Sequence, residues 1–167
     1  MEICTKEHHG YFTLDMGYYE GLGFDSSALQ NSRLSLVFIE SGSGCFMLNN
    51  QSISFDAPVL LCVNETEILS IASDIYVKAI LFHPSIVNNA LNFQNIRTNS
   101  NNLSVTETQD CFYLHSFIQR ISPAYGILYP TSDNELRIAK LFHDFLDLCQ
   151  YFGHKKLNIF SLYDINT

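Results

Sequence analysis

Polar and apolar positions along this chain repeat at two different periods. From Arg33 to Val63 the apolar runs are short and regularly interrupted. Leu34 to Ile39 is followed by the glycine turn Glu40-Ser41-Gly42-Ser43-Gly44, then by Cys45 to Leu48. An Asn49-Asn50 turn, Ser52 to Phe55, a break at Ala57-Pro58 and Val59 to Val63 complete the stretch. Short strands separated by turn residues at this pace predict a small antiparallel barrel or sandwich. Ile75 to Phe82 reads as a further strand, with Val77, Ala79 and Leu81 on one face and Tyr76, Ile80 and Phe82 on the other. An earlier strand is expected near Gly10 to Leu14, followed by a loose connection rich in glycine and aromatic residues.

The second half changes period. Pro84 after His83 is placed to open a short helix over Ser85 to Leu91. The asparagine-rich stretch Asn92 to Val105 reads as a surface loop. Thr106 is the expected N-cap of a helix reaching about Ile121, with Glu107 in its first turn and Ser122-Pro123 beyond its end. Thr131 to Asn134 caps a last helix, Asn134 to Phe152, and Gly153 is placed to end it. Ile138, Phe142, Phe145, Cys149 and Phe152 step along it by alternating fours and threes, and Leu141 and Leu148 widen the stripe. That spacing suits a helix packed lengthwise on another helix. It equally suits a helix covering its own core, and the width of the stripe allows both.

Composition narrows the class. A chain of 167 residues with 47% hydrophobic content is one domain, or a domain with a helical extension, large enough to fold without disulfides. The formal net charge of −8 disfavours direct contact with nucleic acid or anionic membrane. No run is long and apolar enough to span a bilayer, and Met1 to Lys6 does not read as a secretory signal. Cys4, Cys45, Cys62, Cys111 and Cys149 are odd in number and widely spaced, which points to a reduced cytoplasm.

The chemistry-bearing residues form no catalytic pattern. His8, His9, His83, His115, His143 and His154 are scattered over separate elements without carboxylate or cysteine partners at ligand spacing, so no metal or cofactor is expected. His143 and Asp144 are helix neighbours and point apart. The Gly42 turn lacks the first glycine of a nucleophile elbow and the lysine of a phosphate loop, so its glycines are expected to serve a hairpin. What remains is an interior. If one parity faces inward, the lining is drawn from Leu34, Leu36, Phe38, Phe46, Leu48, Ile53, Val77, Ala79 and Leu81. These residues either fill a core or, with small positions such as Ser70 and Ala79, leave a cavity. Tyr11, Phe12, Tyr18 and Tyr19 are placed to lie over its mouth or to cover an edge strand.

The runs Leu34 to Gly44, Met47 to Gln51, Ile53 to Val63 and Val77 to Phe82, followed by a short helix and two longer ones, resemble the N-terminal cupin-type effector domain of AraC-family transcription regulators. The resemblance covers about residues 10 to 152. It implies a cupin-like barrel with an N-terminal arm over 1–95, a helical dimerisation region over 96–154, and over 155–167 the start of a linker to an absent helix-turn-helix DNA-binding part. The chain departs from that pattern at Ala57-Pro58, where Gly-Asp is usual, and at Val63-Asn64 and Ile68-Leu69-Ser70, where a proline and a histidine are usual. Positions that are polar or aromatic in sugar-binding members are Ile68, Ser70, Val77 and Ala79 here, which favours an apolar or weakly polar effector, or none.

The expectation is therefore an α+β chain: a small antiparallel β-barrel of cupin or jelly-roll type followed by two or three helices. It would act as a non-enzymatic, cytoplasmic, ligand-sensing and dimerisation domain. Tyr11, Leu36, Phe38, Phe46, Ile68, Ser70, Val77 and Ala79 are the candidate cup lining. Ile138, Leu141, Phe142, Phe145, Leu148, Cys149 and Phe152 are the candidate homodimer seam. The alternatives are a cupin-like isomerase or lyase and a stand-alone protein-binding module.

Overall fold

The computed structural model describes residues 2–9, 12–29, 32–98, 103–118 and 126–163, and the side chains within 15–27, 32–98, 103–118 and 126–151. In chain order the strands begin with β1 (Glu2–His9) and β2 (Phe12–Asp25), and a short helix α1 (Ser26–Leu29) follows. Then come β3 (Leu34–Ile39), β4 (Ser43–Leu48), β5 (Gln51–Asp56), β6 (Val59–Val63) and β7 (Leu69–Phe82). Helices α2 (Phe93–Thr98), α3 (Val105–Cys111) and α4 (His115–Ile118) precede β8 (Ile127–Leu128) and the long helix α5 (Ser132–Tyr163). The sheet runs β1-β2-β7-β3-β6-β8, with the β4–β5 hairpin attached to β7. Every pairing is antiparallel. The fold is α+β: a curled antiparallel half-barrel followed by helices.

Local chemistry explains the strand boundaries. Asn49 and Asn50 take φ of 49° and 66°, which closes the β4–β5 hairpin as a two-residue turn, and Gly42 takes φ 96° in the β3–β4 turn. β2 extends well past the expected strand near Gly10 to Leu14, through the glycine-rich stretch read as a loose connection. Its register with β7 runs from Met16↔Phe82 to Asp25↔Ser70 and shifts once, around Gly23, whose φ is 70°. Pairing to a long neighbour overrides weak local propensity here. β7 likewise begins at Leu69, six residues before the expected strand.

The helical half differs from expectation in several places, and the helix expected to reach Ile121 is interrupted by a 3-10 turn, Phe112–Leu114, between α3 and α4. Over Ser85 to Leu91 there is only a 3-10 turn, Pro84–Ile86, whose Ser85 amide donates to Nδ1 of His83 at 3.2 Å. The expected loop after Asn92 contains α2. The cap of α3 is Ser104 rather than Thr106. Ser104 Oγ accepts from the Glu107 amide and Glu107 Oε2 accepts from the Ser104 amide, a reciprocal box that needs glutamate three residues after the cap. α5 does not end at Gly153 but runs to Tyr163; a helix-interior glycine costs only about 1 kcal/mol relative to alanine.

Among the described residues, three apolar clusters hold the structure. Inside the curl lie Val37, Ile39, Phe46, Leu48, Val59, Leu61, Val63, Leu69, Ile71, Val77, Ala79 and Leu81, with Phe24 and Phe55. On the outer face Met16, Tyr18, Phe38, Leu60 and Ile80 meet Phe142 and Cys149 of α5. Beside them Leu34 and Cys62 meet Leu91, Leu114 and Phe117. β3 and β6 are thus covered on both faces, which is why neither shows polar alternation. A buried ion pair, Arg33 to Asp15 at 2.6 Å, ties β2 to the start of β3.

Candidate functional site

The expected cup lining divides between the two faces. Phe46, Val77 and Ala79 belong to the inner cluster. Leu36 and Phe38 do not: Phe38 packs against Phe142 of α5 with ring centroids 5.7 Å apart, and Leu36 lies between the two outer clusters. Leu34 is also on the outer side. The inward residues of β3 are Val37 and Ile39. The parity was misassigned because Leu34 to Ile39 is apolar at nearly every position, and the outer face, covered by helices, is as dry as the inner one. Ile68 and Ser70 are exposed, while their neighbours Leu69 and Ile71 turn inward. Tyr11 lies outside the described residues.

Among the described residues, the space bounded by Phe46, Leu48, Leu61, Val63, Leu69 and Ile127 has no room for a water molecule. Ser35 Oγ is buried without a hydrogen-bond partner.

The expected seam on α5 also divides. Phe142 and Cys149 are buried against the chain's own sheet, and Ile138 and Phe145 are half-buried at the same cluster. Leu141 and Leu148 lie on the other side of the stripe, 48% and 41% exposed. The side chain of Phe152 lies outside the described residues. Next to this exposed stripe an apolar groove of 360 Å³ runs between Leu60, Leu128 and Tyr129 of the sheet side and Ile138 and Leu141 of α5.

A polar cluster on the outer face was not anticipated. Glu20 accepts from the Tyr18 hydroxyl at 3.0 Å and from the Tyr76 hydroxyl at 2.5 Å. Lys78, directly across the β2–β7 ladder from Glu20, donates to Glu40 at 3.1 Å. The Tyr76 hydrogen bond holds the Glu20 carboxyl below its usual range. The same bond pushes the Tyr76 phenol up to about 12. Burial, then the bond to Glu20, pushes Tyr18 up further. Only the cross-strand register brings Glu20 and Tyr76 together, and 56 residues separate them in sequence. A cleft of 190 Å³ opens here under α5, with Tyr18, Glu20 and Lys78 on the sheet side and Ala139, Phe142, His143 and Leu146 on the helix.

Among the described residues no three His, Cys, Asp or Glu side chains converge as a metal site would require. Cys45, Cys62, Cys111 and Cys149 form no disulfide. Among the described residues no helix is long and apolar enough to cross a membrane. No protein-family model matches the chain, and no curated protein matches it in sequence.

Proposed function

We propose that the chain is the signal-receiving and dimerisation domain of an AraC-type transcription regulator, working in the cytoplasm, with DNA contacted by a separate basic reader. The observation that carries this reading is the double use of α5. One face anchors on the half-barrel through Phe142 and Cys149, while Leu141 and Leu148 remain exposed beside an apolar groove. A helix with one face docked and an adjoining apolar stripe uncovered suits an interface between two copies.

The space between Phe46, Leu61, Leu69 and Ile127 is too tight for a water molecule, which favours a signal received on another face. It also favours a second reading, a stand-alone module that binds a different protein. Sedimentation equilibrium separates the two. The regulatory reading expects a dimer of the wild-type chain and a folded monomer for the double variant Leu141→Asp, Leu148→Asp. These positions are preferable to Phe145, which is half-buried against its own sheet. A monomeric wild-type chain refutes the dimer, and a double variant that remains dimeric refutes the stripe as its interface.

A further inference from the structure

Among the residues whose side chains are described, Arg33, Lys78, Arg97 and Lys140 each pair with a carboxylate. Arg137 does not: its side chain forms no ion pair or hydrogen bond with a described residue. In a chain of net charge −8 an unpaired guanidinium is an exception. Its place is also particular. Arg137 lines the groove of 360 Å³ between the sheet and the first turns of α5. Leu60, Leu128, Ile138 and Leu141 are the apolar walls there, and Asn134 and Tyr129 bring an amide and a hydroxyl. No carboxylate belongs to the described lining. Asp133, one turn earlier on α5, is not within ion-pair distance of Arg137, and Asp144 is held by Lys140.

A cation beside an apolar wall is complementary to a molecule that carries one negative charge on a hydrocarbon body. We propose that this groove binds a small organic carboxylate, its oxygens on the Arg137 guanidinium and its hydrocarbon part against Leu60, Leu128 and Ile138. A guanidinium fork matches both carboxylate oxygens at once. An ammonium ion would meet Arg137 as a like charge, and a neutral alcohol would gain the apolar contact alone. Such a ligand touches β6, β8 and α5 together, so it ties the start of the helix to the edge of the sheet. Arg137 is exposed, so water and salt weaken its pull, and the affinity is modest and falls as salt rises. The groove adjoins the exposed stripe at Leu141 but is formed within one chain, and the site does not rest on the regulatory reading.

The test uses the whole chain and three probes of similar size: phenylpropanoate, phenylpropanol and phenethylammonium. Binding is followed by amide chemical shifts in solution. Phenylpropanoate is expected to bind with a dissociation constant on the order of 1 mM. Its shifts should centre on Leu60, Leu128 and residues 134–141, and the alcohol and the ammonium ion should bind about fivefold more weakly or less. Arg137→Gln is expected to weaken the carboxylate about fivefold and to leave the alcohol unchanged. Leu128→Glu replaces a half-exposed wall residue by a carboxylate and should abolish binding of phenylpropanoate in a chain whose spectrum is otherwise retained. Equal binding of alcohol and carboxylate, shifts centred elsewhere, an unchanged affinity in Arg137→Gln, or no saturable shift with phenylpropanoate each overturns the assignment. If Leu128→Glu does not fold, the probes on the wild-type chain and on Arg137→Gln still decide. Sedimentation reads the dimer separately: a monomer that binds phenylpropanoate in the groove refutes the dimer and leaves this site standing, and a dimer that does not bind it does the reverse.

Discussion

Replacing Phe142 by alanine tests how α5 is held. Phe142 is 1% exposed, and its ring meets Phe38 at 5.7 Å between centroids with 34° between planes. Its other neighbours in the cluster include Met16, Leu60 and Ile80. Truncation of a buried phenylalanine costs about 3–5 kcal/mol from lost transfer energy and the cavity left behind. The tilted ring pair accounts for about 0.5–1.5 kcal/mol of that range. Helix and sheet are separate elements that cannot easily collapse onto the hole, so a value near ~4 kcal/mol is expected. With a urea slope of about 2 kcal/mol per molar, the unfolding midpoint should fall by ~2 M. The melting temperature should fall by roughly 8–16 °C, at about 2–4 °C per kcal/mol for a domain of this size. Leu136→Ala is the control: this α5 side chain lies outside the stripe and is 78% exposed, and its loss should cost no more than about 0.5 kcal/mol. Both variants are compared with wild type by circular dichroism at one protomer concentration, because association shifts apparent stability. A loss below about 1 kcal/mol for Phe142→Ala would mean that α5 is not anchored through this residue.

Two further substitutions probe polar groups. Ser35→Ala removes a buried hydroxyl that has no hydrogen-bond partner, so it should leave stability unchanged or raise it by about 1 kcal/mol in urea unfolding. A loss of more than about 1 kcal/mol would show that the hydroxyl is bonded. Tyr76 tests the outer cluster by pH. Its folded pKa of about 12 lies above the ordinary 10.0, so the unfolded chain binds fewer protons in between. Its contribution is present in full below pH 10 and is lost as pH rises through about 12. Tyr76→Phe should remove one late-titrating phenol from the ultraviolet absorbance curve and flatten the alkaline stability slope. A variant whose late titration is unchanged would refute the Glu20 bond.

The parts of the fold legible in the sequence are those fixed by local chemistry. Asn49-Asn50 specifies a hairpin by its own backbone preference, and the β3–β4 turn needs Gly42. In β7, Ser70, Ala72 and Asp74 face out while Leu69, Ile71, Val77, Ala79 and Leu81 face in, so that strand states its own parity. β3 does not. Its only polar residue, Ser35, points into the dry interior, the opposite of what alternation suggests. The α3 cap was readable as Ser104 followed by Glu107, but adjacent Thr106 offered a plausible competitor that local propensity alone does not reject. The seam on α5 was legible as a stripe. Its division into a docked and an exposed half was not, since periodicity gives a direction around the helix but no partner.

The same division explains why the outer face, rather than the interior, is where this fold can couple one event to another. The space between Phe46, Leu61, Leu69 and Ile127 has no room for a water molecule, so a ligand entering there would have to displace packed side chains. The outer face instead carries three adjoining features on one helix: the anchor at Phe142, the cleft at Ala139 and His143, and the exposed stripe at Leu141 and Leu148. Whatever tightens the docking of α5 on the sheet also fixes the position of the stripe, because Leu141, Phe142, Leu148 and Cys149 lie on one continuous helix. If two copies associate through the stripe, linkage requires that association tighten the docking by the same factor that docking favours association. Sedimentation of the wild-type chain and of Phe142→Ala measures that coupling. An association constant that Phe142→Ala leaves unchanged means that the anchor and the stripe act independently.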